Sequence, residues 1–305
     1  MARSGIPRLH FPGFPCNFSY SQRICMAFDA KRSRLLFQRL SRELSKLARR
    51  PAPENVHKFR THSRRVEALL NEVLPKLSRN DRKLLKLLGR LRKKAGRVRD
   101  LDVQISLLRN LKMPQGSGHK AQFMEALVQD RTKREKKLAR AFTPETAAEL
   151  RKRLSRAASG MVRVKDADPL ALTLSRLAQL GREHVPLTER TLHQYRIIGK
   201  RARYIAELAD TNAHASQVVE QLKHMQDVIG DWHDWLKLTQ KAESLLGGVR
   251  DSSLVSLLHS VTQAKFRLSL NAVAEIRAAL VGKRPEPAAA EISSRPPVAS
   301  RATAA

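Results

Sequence analysis

Two stretches of this chain carry basic side chains in the same order. "VHKFRTHSRR" runs from Val56 to Arg65 and "LHQYRIIGKR" from Leu192 to Arg201, starting 136 positions later. Each reads apolar residue, His, any residue, aromatic, Arg, three residues, then two cations. An α-helix turns 100° per residue. With His57 at zero, Arg60 falls at about 300°, Arg64 at about 340° and Arg65 at about 80°. Val56, Phe59, Val66, Leu69, Leu70 and Val73 fall on the opposite side. In the second copy His193, Arg196, Lys200 and Arg201 share the polar side. Leu192, Tyr195, Ile198, Ala202, Ile205 and Ala206 share the apolar side. An ordinary solvated helix face mixes Glu with Lys at i,i+4. The central turns of these two faces hold cations and no acid.

The chemistry that such a row serves is anion binding. A guanidinium offers a planar fork of donors that matches phosphate oxygens, and it stays charged at any cellular pH. Histidine donates a hydrogen bond and gains charge beside an anion. Cations one turn apart stand about 5–6 Å from each other, a spacing that suits oxyanions repeated along a polymer.

Metal chemistry fits poorly. His57 and His62 are five residues apart, and His224 and His233 nine, so neither pair has the i,i+4 spacing of a helical two-His site. No Ser or Cys stands in a nucleophile-elbow context, and no Walker-type phosphate loop occurs. No catalytic residue, metal or cofactor is therefore assigned. The one acidic cluster that follows the repeat is Asp100, Asp102, Asp231 and Asp234. It leaves open a paired-carboxylate or magnesium site, and with it an enzyme of phosphate metabolism. The simpler role is to orient arginines such as Arg97 and Arg99, or to buttress the helix.

The elements that carry these residues are helices throughout. Leu, Ala, Arg, Lys and Glu dominate, and no sustained alternation marks a strand. Helices are expected at about 29–50, 54–77, 81–111, 119–142, 145–159, 170–184, 187–210, 214–246 and 251–281. Pro51, Pro53, Pro114, Pro144, Pro186 and Gly247-Gly248 punctuate them. "AGRVRDLDV" (Ala95–Val103) aligns with "IGDWHDWLK" (Ile229–Lys237) at an offset of 134, matching Gly96 with Gly230 and Asp100 with Asp234. Two motifs recurring in order at nearly equal offsets indicate a duplicated helical unit, with halves at about 29–159 and 169–281.

The 305 residues carry 59 Lys and Arg against 28 Asp and Glu, a net charge of +31. That imbalance repels itself in a compact state and calls for a polyanionic partner: DNA, RNA, an anionic membrane or a phosphate polymer. No apolar run approaches the roughly 18 residues of a membrane span. The first 28 residues, interrupted by Pro7, Pro12 and Pro15, lack the apolar centre of a signal peptide, so a cytoplasmic protein is expected. They read as disordered, or as an extension upstream of a true start at Met26. Residues 282–305 read as a disordered Pro/Ala-rich tail. Cys16 and Cys25 support neither a disulfide framework nor a zinc site. Aromatics make up 5% of the chain, few for a binder that stacks bases. Phe59 and Tyr195 face the core, and Trp232 and Trp235 are expected where the halves meet. The rows also lack an obvious base-reading set.

These residues resemble the CHAD domain (conserved histidine α-helical domain). The resemblance rests on "HKFRTHSRR" (His57–Arg65), "HQYRIIGKRARY" (His193–Tyr204), "RVRDLDV" (Arg97–Val103) and "LKHMQDVIGDWHD" (Leu222–Asp234). It covers roughly residues 29–281. It implies an all-α fold of two four-helix units about a pseudo-twofold axis, with a basic channel that binds inorganic polyphosphate. The binding residues it implies are His57, Arg60, Arg64 and Arg65 with His193, Arg196, Lys200, Arg201 and Arg203, and secondarily Arg97 and Arg99. His233 departs from the pattern, standing where the family often has Asn and the first half has Arg99. No Glu-x-Glu-x-Lys signature of a fused triphosphate-tunnel domain occurs, so a non-enzymatic binding module is expected. Its place would be at cytoplasmic polyphosphate granules, with granule proteins as possible partners and nucleic acid as a weaker polyanion.

Overall fold

The computed structural model describes residues 30–113, 118–161, 168–182, 186–208 and 213–281. Both terminal segments, with Met26, Cys16 and Cys25, lie outside the described residues. Those described are almost all helical: α1 (Ala30–Arg49), α2 (Pro53–Val73), α3 (Arg79–Asn110), α4 (Gly118–Ala139), α5 (Pro144–Gly160), α6 (Pro169–Arg182), α7 (Glu189–Ala206), α8 (Ala213–Leu246) and α9 (Ser253–Val281).

Local chemistry explains the ends. Pro53 and Pro144 open α2 and α5 at positions where the missing N–H has no helical partner anyway. Ser78 caps α3: its hydroxyl accepts from the Asp81 N–H at 3.1 Å, and the Asp81 carboxylate accepts from the Ser78 N–H at 2.9 Å. Thr188 and Thr191 form a similar box at the start of α7. Gly247, at φ 84°, closes α8 in the left-handed region that favours glycine. The expected second helix reaches residue 77, yet α2 stops at Val73. Pro75 is the reason, because it drives Leu74 to an extended ψ of 126°.

Three apolar clusters hold the helices together. One joins α1, α2, α3 and α5 through Phe37, Leu40, Phe59, Leu69, Leu88 and Leu154. A second joins α6 to α9 through Leu192, Tyr195, Met225, Ile229, Trp232 and Val273. The third draws on both halves, packing Leu101, Leu108, Phe123 and Leu127 against Trp235, Leu238 and Leu258. Only Trp235 of the two tryptophans therefore sits where the halves meet; Trp232 lies inside the second half, against Phe266. Polar ties also cross. Arg176 of α6 donates to Glu72 of α2 at 2.8 Å, and Lys241 of α8 to Asp130 of α4 at 2.6 Å. No helix among the described residues is long and apolar enough to cross a membrane.

Candidate functional site

The two basic rows meet. α2 packs against α7, α3 against α2, and α8 against both α3 and α7. The apolar faces turn away as the wheel requires: Val56, Phe59, Val66 and Leu69 on α2 are fully buried, as are Leu192, Ala202 and Ile205 on α7. The basic faces are left between the four helices.

Arg60 is the best-anchored member. Its Nη1 donates to the Gly96 carbonyl of α3 at 3.0 Å and to Oδ1 of Asp100 at 3.1 Å. Arg60 and Asp100 both act electrostatically on Arg196 of α7, and so does Asp234 of α8. The offset-matched pair Asp100 and Asp234 thus serves one guanidinium. Arg64 lies in the same field: burial first, then Arg60 and Arg196, push its pKa below the usual arginine value. Lys200 is held down most. Burial lowers its pKa from 10.5 to about 7, and Arg196, Arg64 and Arg60 add to the effect against the pull of Asp234. Neutralisation is the normal response of an ammonium taken out of water beside like charges. Three guanidiniums and a half-neutralised Lys200 face two carboxylates, so the cluster keeps an excess of positive charge.

The histidines flank it. Partial burial, Arg99, Arg60 and Arg64 lower the pKa of His57. Partial burial lowers that of His193 too, helped by His233, Arg196 and Lys237. The rings of His193 and His233 stack with centroids 6.0 Å apart. His233 therefore contributes a ring at the position where the first half has Arg99.

At another edge of the cluster an acid already holds the cations. Glu207, at the C-cap of α7, pairs with Arg65 (Nε to Oε2, 2.9 Å) and with Arg203 (3.7 Å). Both guanidiniums also lie against the Tyr204 ring, 5.7 and 5.1 Å from its centroid. The Nε atoms of Arg196 and Arg203 are buried with no hydrogen-bond acceptor among the described residues, whereas that of Arg65 faces the Glu207 carboxylate. Donors of that kind in a basic pocket are what an oxyanion satisfies.

Two expected members stand apart. Arg97 and Arg201 are exposed, and neither joins an ion pair among the described residues. The acids do hold basic side chains, but none pairs directly with Arg97 or Arg99; the Arg99 charge acts on Asp102 without contact. Asp100 takes Arg60, and Asp102 takes Arg131 of α4 at 2.8 Å. Asp231 pairs with Lys265 of α9 at 2.8 Å. Asp100, Asp102 and Asp231 thus pair with three different partners, and no group of three or more His, Cys, Asp or Glu suited to a metal ion occurs among the described residues. Sequence reasoning missed Glu207, Arg92 and Lys237. Arg92 pairs with Glu67 and adds to the field on Arg64. The i,i+4 spacing of Arg203 and Glu207 was the one available signal for Glu207.

The description "CHAD domain" matches residues 33–243, more than half of the chain. The chain belongs to the CHAD family. Two solved structures share the fold. The CHAD domain from the plant Ricinus communis is 17% identical, with 82% of this chain and 90% of that one covered at a TM-score of 0.60. PptA from Streptomyces chartreusis is 14% identical, with 81% and 96% covered, also at 0.60. No curated protein matches. At these identities the likeness establishes the CHAD fold and leaves the ligand to be argued from the side chains.

Proposed function

We propose that this CHAD protein binds inorganic polyphosphate in the cationic cluster between α2, α3, α7 and α8, and that it does so without catalysis. Arg60, Arg64, Arg196 and Lys200 form the floor. His57, Arg99 and His193 flank it, Arg65 and Arg203 extend it, and Arg97 and Arg201 add charge at its approaches. The observation that carries this reading is the convergence of four buried or half-buried cations on a space supplied with only two carboxylates. The family's link to polyphosphate points the same way. Binding is electrostatic: the groove replaces the polymer's counterions, so log affinity falls linearly with log salt.

Nucleic acid is the second reading, and one observation weighs against its single-stranded form. Among the described residues no Phe, Tyr or Trp is exposed, so none of these rings is offered to a base. A phosphate-metabolism enzyme using Asp100 and Asp234 is the third, weighed against by the engagement of Asp100 with Arg60. Association with cytoplasmic polyphosphate granules and their proteins belongs to the same proposal.

The test replaces Arg60, Arg64, Arg196 and Lys200 by Ala, the best helix former. Polyphosphate affinity should fall by about 100-fold or more. The salt slope should fall by about 3, because each phosphate neutralised on a single strand adds roughly 0.7 to it. Unchanged affinity in a variant that keeps its helicity overturns the assignment.

A further inference from the structure

The outer face of α3 carries a second basic track. Lys83, Lys86, Arg90, Lys93, Lys94 and Arg97 are all exposed. On the wheel they fall within a stripe about 100° wide, running about 21 Å along the helix. No acid lies within it, and none of the six joins an ion pair among the described residues. Like charges at i,i+4, such as Lys86 with Arg90 and Arg90 with Lys94, destabilise a helix.

The chain supplies its own control. At the repeat offset of 134, the six positions correspond to Gln217, Glu220, His224, Asp227, Val228 and Asp231 of α8. A long third helix therefore forms and packs in the second half without one Lys or Arg at these places. The fold does not require the stripe, and general solubility does not account for its presence on one half alone.

Its position is also informative. On the α3 wheel, Gly96 and Asp100, which both contact Arg60, lie within about 60° of Lys93. The stripe therefore starts where the cluster between the halves ends, and continues away along the outside of the first half. We propose that it is a separate anion-binding surface for the same ligand: the part of a long phosphate chain that emerges from the groove runs along α3 toward Lys83. The groove would then set what is bound, and the stripe would confer preference for long chains. This inference rests on the polyphosphate reading above.

The experiment compares two probes, tripolyphosphate and long-chain polyphosphate, on the full chain and on a variant with Lys83→Gln, Lys86→Gln, Arg90→Gln and Lys94→Gln. Gln is a good helix former, and circular dichroism reports the fold. For long-chain polyphosphate the salt slope should fall by about 3, with affinity near physiological salt down about tenfold or more. Tripolyphosphate affinity should stay within about twofold of the parent, since the Debye length of about 8 Å screens distant exposed charges. Unchanged long-chain affinity overturns the inference. An equal loss for both probes also overturns it, because the stripe would then act only as a background field. Loss of duplex DNA binding with polyphosphate binding intact would assign the stripe to nucleic acid instead. Failure of the groove reading would register separately, as polyphosphate affinity indifferent to Arg60, Arg64, Arg196 and Lys200.

Discussion

Arg60 on α2 reaches Asp100 on α3 at 3.1 Å while its Nη1 also holds the Gly96 carbonyl at 3.0 Å. The two ends of this pair differ in exposure: the Arg60 side chain is 14% exposed and that of Asp100 is 66% exposed. The guanidinium is fixed by two acceptors, and one of them can be screened by water or displaced.

That relationship separates a counterion from a catalytic acid. If Asp100 and Asp234 only balance charge near Arg196, replacing both by Asn frees positive potential. Polyphosphate affinity should then rise, by about threefold to tenfold at low salt, with the salt slope steeper by about 1. Magnesium-dependent shortening of polyphosphate that Asp100→Asn and Asp234→Asn abolish would instead make these acids part of an enzyme. Chain length on gels, with and without the variant, reads this directly.

Lys200 should make binding take up protons. Its folded-state pKa is lowered to about 7 by burial and by Arg196, Arg64 and Arg60, with Asp234 opposing. A phosphate chain beside it favours the ammonium, so the bound protein holds a proton that the free protein lacks. Affinity should therefore fall as pH rises through about 7. At pH 8, calorimetry in buffers of different ionisation enthalpy should show uptake approaching one proton per site, and Lys200→Met should remove most of it. The free protein gives the complementary sign. Between about 7 and 10.5 the unfolded chain binds this proton and the folded chain does not, so folding stability should increase with pH across that window. A stability that falls through the window in the parent, and is unaltered by Lys200→Met, would contradict the buried placement.

Glu207 should limit the groove. It occupies Arg65 and Arg203 in the free protein and so competes with any incoming anion. Glu207→Gln should raise polyphosphate affinity by about threefold or more and add about 1 to the salt slope. A purely structural tie between α2 and α7 predicts a lower melting temperature with an unchanged slope.

How much of this is legible in the sequence depends on what periodicity encodes. A 3.6-residue pattern fixes which side of a helix is apolar. It therefore places Phe59, Leu69, Leu192 and Ile205 in the core, and leaves Arg60, Arg64, Arg196 and Lys200 on the facing sides. Periodicity does not encode which other helix stands opposite. Arg97 and Arg201 share motifs with cluster members but look outward. Proximity along the chain suggests that Asp102 serves its own helix, and instead it takes Arg131 from α4. The apolar pattern of α2 runs on through Leu74 and Leu77 and so overstates its length, while the Pro75 ring settles the backbone. The depth of Lys200 is invisible for a related reason. Burial of a cation is decided by the packing of α2 and α8 around α7, and α2 is far from it in sequence.

Preference of the proposed groove for a phosphate polymer over nucleic acid is open to a competition experiment. Labelled long-chain polyphosphate is bound at about physiological ionic strength and challenged with unlabelled polyphosphate, duplex DNA and single-stranded RNA at equal phosphate concentration. Polyphosphate should displace the label at concentrations at least about tenfold below those of either nucleic acid, because no exposed Phe, Tyr or Trp among the described residues offers bases a stacking surface. Equal displacement by DNA or RNA would contradict that preference and would leave the two His-Arg rows as general basic faces.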